Sequence, residues 1–186
     1  MSVSLLKRRF TVDEYERMGQ AGILSEDDRV ELIEGEIIEM PPIGPPHASV
    51  ASRLTAMLVA AVGARALVRV ADPTRLGVYS MPQPDFLLAK PRKDYYASAH
   101  PQPTDVFLVV EVTDTTLAYD RGVKVPLYAR AGVPEVWLVV IPEEQIETFR
   151  QPSPEGYRTA STLRRGETLS IEALPGIEVP VTQILG

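Results

Sequence analysis

Apolar residues recur along this chain with two distinct periods, and the switches between them predict its elements. Residues 30–33 and 36–40 alternate on either side of Glu34 and Gly35, which predicts a tight β-hairpin with Gly35 at the positive φ of its turn. Before it, Thr11 and Glu14 have the spacing of a capping box and predict a short helix to about Gly19. Pro41, Pro42, Pro45 and Pro46 predict a loop. From Ala48 to Val62 a helix is expected, with Val50, Leu54, Met57, Leu58 and Ala61 facing a core. Strands are expected at 66–70, 85–89 and 106–112, the last almost continuously apolar, as in a central strand covered on both faces. A helix over 117–131 stops at Gly132, and Pro126 predicts a kink or a fresh helix start near Val125. A buried strand follows at 135–140, then an antiparallel edge pair at 144–150 and 156–163, and a turn at 174–177 before a last short segment.

The strand–helix–strand unit at 106–140 predicts two parallel strands joined by a right-handed crossover. The hairpins make the sheet mixed. The expected fold is α/β, a mixed β-sheet flanked by helices, in one domain over 1–186 with a flexible N-terminus at 1–9.

Composition narrows the chemistry. The chain has no cysteine, which excludes disulfides, thiolate zinc sites and cysteine nucleophiles. Its two histidines, His47 and His100, lack metal-binding spacing, and no nucleophile elbow or glycine-rich phosphate loop is present. The most apolar helical stretch, 54–62, is short of the roughly 20 residues a membrane span needs. The N-terminus has no signal-peptide pattern. A cytoplasmic protein with no membrane partner is the resulting expectation. The net charge of −6 argues against loose, charge-driven binding to nucleic acid. Only residues 51–130 are net positive, with 10 Lys and Arg against 7 Asp and Glu.

Carboxylates at strand ends are the remaining candidates. Asp85 follows Pro84 and opens an apolar strand, and Glu111 ends a run of five apolar residues. A carboxylate in such a strand is costly to bury unless paired or bound to a metal. Each either ends its strand in solvent, pairs with an arginine, or joins the other in an oxygen-rich pocket suited to Mg²⁺ or Mn²⁺. Lys124 lies in the following helix, near the strand end where open α/β sheets place ligands. Tyr128, four residues on, shares its helix face. Lys124 is either an exposed helix lysine or a group that orients water or offsets phosphate charge. In the hairpin, Glu31, Ile33, Glu36, Ile38 and Met40 fall on one face, and Glu36 is either an exposed hairpin charge or the glutamate that completes a metal site. Trp137 is expected in the core.

The segments around Glu31–Gly35, Pro84–Asp85, Val110–Val112 and, most specifically, 120–139 resemble the bacterial Uma-type family, once described only as a domain of unknown function. That family is assigned to the PD-(D/E)XK restriction-endonuclease-like superfamily. The resemblance covers about residues 10–180. It implies that Asp85 and Glu111 are metal ligands, that Lys124 replaces the usual motif lysine (Thr113 stands at that position), and that His47 matches a family histidine. It implies a metal-dependent nuclease, with Mg²⁺ or Mn²⁺, acting on nucleic acid, DNA foremost. Because cutting a duplex needs two strand-directed sites and one such domain supplies one, a homodimer is expected. Two other readings stand beside it: a non-catalytic binding or assembly protein on this fold, and an enzyme acting on a small phosphorylated substrate. A further expectation is that Lys124→Ala abolishes cleavage while leaving folding intact.

Overall fold

A computed structural model of the chain describes residues 7–25 and 27–186, so the expectation of a flexible terminus falls largely outside the described residues. The capping box is present: the Thr11 side chain accepts from the Glu14 backbone, Glu14 reaches back to Thr11, and α1 runs Val12–Gln20. The hairpin follows as β1 (Val30–Ile33) and β2 (Glu36–Glu39), with Ile33 opposite Glu36 and Glu31 opposite Ile38. Its turn needs positive φ at both Glu34 and Gly35. Gly35 is further constrained because a Cβ there would lie 2.6 Å from that of Arg9. Leu32 also exchanges backbone hydrogen bonds with Met81. That bridge makes β1 an inner strand and leaves β2 on the outside.

The main sheet has six strands in the order β3 (Leu67–Val70), β4 (Phe86–Ala89), β5 (Val106–Thr113), β6 (Glu135–Val140), β7 (Gln145–Ser153) and β8 (Gly156–Arg164). Only β5 and β6 are parallel, as a crossover unit requires. On one face lies α2 (Pro45–Val62), whose Val50, Leu54, Leu58 and Val62 pack with Phe86, Leu108, Val110, Trp137 and Val139. The C-terminal β9 (Thr168–Ser170), β10 (Glu178–Pro180) and α5 (Val181–Leu185) complete that layer. The other face is covered by α3 (Leu117–Tyr119), a π-helical turn (Asp120–Lys124) and α4 (Val125–Ala131), which place Val125 and Tyr128 against Leu87, Val109 and Val136.

Three sequence expectations change here. Pro45 and Pro46 do not belong to the loop; they open α2, where missing N–H groups cost nothing. Val62, not Ala61, makes the last core contact of that helix. The helical stretch is 21 residues, Pro45–Arg65, and by length and composition alone it suffices to cross a membrane, although Val50, Leu54, Leu58 and Val62 are buried in the core. The break expected near Pro126 is a π turn just before it. Pro126 has no N–H to return to Gly122, so widening the preceding turn forfeits no hydrogen bond there.

Candidate active site

The strand register brings Asp85 and Glu111 together. Phe86 pairs with Val110, so the next positions outward, Asp85 and Glu111, lie side by side at the end of β4 and β5. Strand alternation puts both on the face opposite Phe86 and Val110, the face that α4 covers. The Asp85 Oδ2 accepts the Val112 N–H at 2.7 Å. Both side chains line one 410 Å³ pocket with Glu31, His47, Asp120 and Lys124.

Lys124 is buried, and its Nζ lies 2.8 Å from Glu111 Oε1 and 3.2 Å from Glu31 Oε2. Tyr128, one turn on, donates to the same Glu111 Oε1 at 2.6 Å. Burial opposes the Lys124 charge, but Glu111 and Glu31 outweigh it and hold the ammonium protonated. Burial pushes the Glu111 carboxyl up, to about 8; Lys124 pulls it back, while Asp85, Asp120 and Glu31 add to the rise. Asp120 is raised by burial too, against a 2.5 Å hydrogen bond from Thr116.

His47, in the first turn of α2, brings its Nε2 to 3.0 Å from Asp85 Oδ1, a distance fit for an ion pair but off line for a hydrogen bond. Asp85 raises the His47 pKa above its ordinary 6.5.

Glu36 does not join this group. It is exposed on β2 and its Oε1 pairs with Lys7 at 3.1 Å. The hairpin glutamate in the pocket is Glu31, 3% exposed, whose Oε2 also accepts the Gln83 N–H at 3.1 Å. Sequence alternation put both glutamates on one face but could not say that β1 is the inner strand. The apolar neighbours Leu32 and Ile33 were the available signal. Asp120, Thr116 and Tyr119 also reach the pocket, by way of the π turn. His100 lies elsewhere, beside a separate cavity.

Among the described residues no cluster of three or more His, Asp or Glu side chains forms a ready-made cation cage. A Mg²⁺ site needs less: one or two carboxylates, with water and substrate phosphate completing the shell. Glu111 uses only Oε1 for Lys124 and Tyr128, and Oε2 has no hydrogen-bond partner among the described residues. Together with the rise in its pKa, this fits the Asp85–Glu111 pair to a divalent cation.

The molecule is a mixed-sheet α/β protein with a buried carboxylate–lysine pocket at its strand ends. The family model described as "putative restriction endonuclease" matches residues 12–182, and the chain belongs to this family, Uma2. Its fold is similar to that in the crystal structure of a "putative nuclease belonging to DUF820" from Anabaena variabilis. The TM-score is 0.75 at 15% identity, covering 95% of this chain and 97% of that one. No curated protein matches in sequence.

Proposed function

We propose that the protein is a metal-dependent nuclease that hydrolyses phosphodiester bonds in nucleic acid, DNA foremost. The observation that carries this reading is the shared Glu111 oxygen: one buried carboxylate takes Lys124 and Tyr128 on Oε1, in the pocket that Asp85 also lines. Asp85 and Glu111 would hold Mg²⁺ or Mn²⁺, which supplies polarisation of a phosphoryl oxygen and a more acidic water. Lys124 stays protonated, so it serves as a fixed positive charge for the phosphoryl group and not as a base. Glu31 and Tyr128 position it: Glu31 holds the ammonium, and Tyr128 fixes the carboxylate that faces it. His47, next to Asp85, is placed to exchange a proton with the attacking water or the leaving oxygen. Cutting both strands of a duplex takes two such pockets, which calls for a two-fold homodimer; sedimentation at micromolar concentration tests that part separately.

The direct test is incubation with Mg²⁺ or Mn²⁺ on plasmid, single-stranded DNA and RNA, beside Glu111→Gln and Lys124→Met. Cleavage by the parent chain and none by either variant supports the reading. Equal background from all three proteins rejects it.

A further inference from the structure

The six-stranded sheet ends in two edges of unequal length. On one side β3 has four residues, and so short an edge offers a second chain little to pair with. On the other side β8 has nine, Gly156–Arg164, and pairs with β7 alone. Residues 158–162, Arg-Thr-Ala-Ser-Thr, are all exposed, so neither helical layer covers this stretch. In an antiparallel edge strand every second residue aims its N–H and C=O away from its partner strand. Among the described residues nothing but β7 bonds to the backbone of 158–162. The strand also lacks the devices that protect an edge: it has no proline, no lysine and no shift of register, and Arg158 is its only charge before Arg164.

The sequence of this edge is complementary to itself. β8 is centred on Ala160, so a second copy laid antiparallel over its full length puts Ala160 opposite Ala160. Thr159 then faces Ser161, Arg158 faces Thr162 and Tyr157 faces Leu163, and no like charges meet. One position beyond the strand, Glu155 faces Arg165, and the two-fold axis repeats that pair of opposite charges. Glu155 makes no ion pair among the described residues and accepts only from the Ser153 hydroxyl, at 3.0 Å. Arg165 pairs with Glu144 at 3.1 Å and is exposed, with donors left for a second carboxylate. Centring the pair on Ser161 instead sets Arg158 against Arg164 at both ends, and centring it on Thr159 sets Glu155 against Leu163. The charges therefore select the register that also pairs the whole strand.

We infer that β8 is the docking surface for a second copy of this chain, paired edge to edge across a two-fold axis and joining two six-stranded sheets into one. This goes beyond the nuclease reading: it locates an interface from the strand itself and stands whether or not the protein cleaves nucleic acid. One strand pair is a small contact beside the roughly 800 Å² per partner of a stable complex, so the dimer is expected to be reversible at micromolar concentration.

The chain has no cysteine, so one introduced thiol reports on its own pairing. Ala160→Cys, at an exposed site, sets two thiols opposite one another at a Cα separation of about 4.5–5.5 Å, within the range of a disulfide. Under oxidising conditions and without nucleic acid, this variant should run as a covalent dimer on a non-reducing gel; Val59→Cys, exposed on α2, should not. In sedimentation velocity at micromolar concentration the parent should be a monomer–dimer mixture. Ala160→Lys sets two ammonium groups face to face and should raise the dimer Kd at least about tenfold with an unchanged melting temperature. Glu155→Arg should raise it about fivefold, and adding Arg165→Glu should return it to the parent value. A monomeric parent, a cross-link through Val59→Cys and not Ala160→Cys, or the parent Kd in Ala160→Lys overturns the inference. Any cleavage of single-stranded nucleic acid should be the same in Ala160→Lys as in the parent, so loss of the dimer and loss of the nuclease reading are separate results.

Discussion

At the scale of single residues, the pocket is governed by Glu111 and the charges that face it. Lys124 is buried between two carboxylates, which corrects the expectation that its removal leaves folding intact. Lys124→Met should abolish cleavage and also lower stability by about 3–5 kcal/mol without added cation, because Glu31 and Glu111 lose the buried ammonium that both contact. Urea denaturation of parent and variant checks this, and Mg²⁺ should recover part of the loss. A pH dependence follows from Glu111. Its pKa in the cation-free protein is raised to about 8, so below that pH a cation must displace a proton. Mg²⁺ affinity should therefore rise up to about tenfold per pH unit from 6 to 8 and level off above it. Titration calorimetry at four pH values measures the slope, and Glu111→Gln should flatten it. From pattern alone Asp85 and Glu111 could equally end their strands in solvent and Lys124 could be an exposed helix lysine; the resemblance to the Uma-type family singled them out, and the structure lines one pocket with all three. Glu31 was not separable from Glu36, since period-two alternation gives a face but not which hairpin strand lies inward.

At the scale of elements, the crossover unit was the most legible part of the chain. The continuous apolar run of β5, the Gly132 stop and the apolar β6 together specify a parallel pair covered on both faces, and the structure has it. The π turn was not legible, because one widened turn leaves the hydrophobic period of its flanks unchanged. Only Pro126 hinted at it, and it marks where the disturbance ends. Proline also misled in α2: Pro45 and Pro46 read as loop residues, although the first helical turn accepts them. The strand β6 carries a second buried network. Glu135, fully buried, accepts from Trp137 Nε1 at 2.8 Å, from Arg150 at 2.9 and 2.7 Å, and from the Glu172 backbone at 2.8 Å. Trp137 thus both fills the core and satisfies one of these bonds. Trp137→Ala should cost about 3–5 kcal/mol, the range for large aromatic truncation in a core. The native indole should emit as a buried chromophore, and red-shifted, readily quenched fluorescence would contradict its placement.

At the scale of the whole molecule, charge sets the order of events. The chain carries 25 Asp and Glu against 19 Lys and Arg, a net charge of −6, and its candidate active site is more acidic than that average. A polyanion approaching such a protein meets repulsion both at long range and in the pocket. A divalent cation between Asp85 and Glu111 would cancel two of the pocket's charges and offer the phosphate a counter-charge. Cation removal should then abolish binding as well as cleavage. The expected result is that EDTA raises the Kd for a single-stranded oligonucleotide by at least tenfold, and that Ca²⁺ restores binding. If nucleic acid binds equally well with EDTA, the cation is not what admits the phosphate. Affinity would then have to come from surface outside this pocket, and Asp85→Asn, which should mimic cation removal in the first case, would leave binding unchanged.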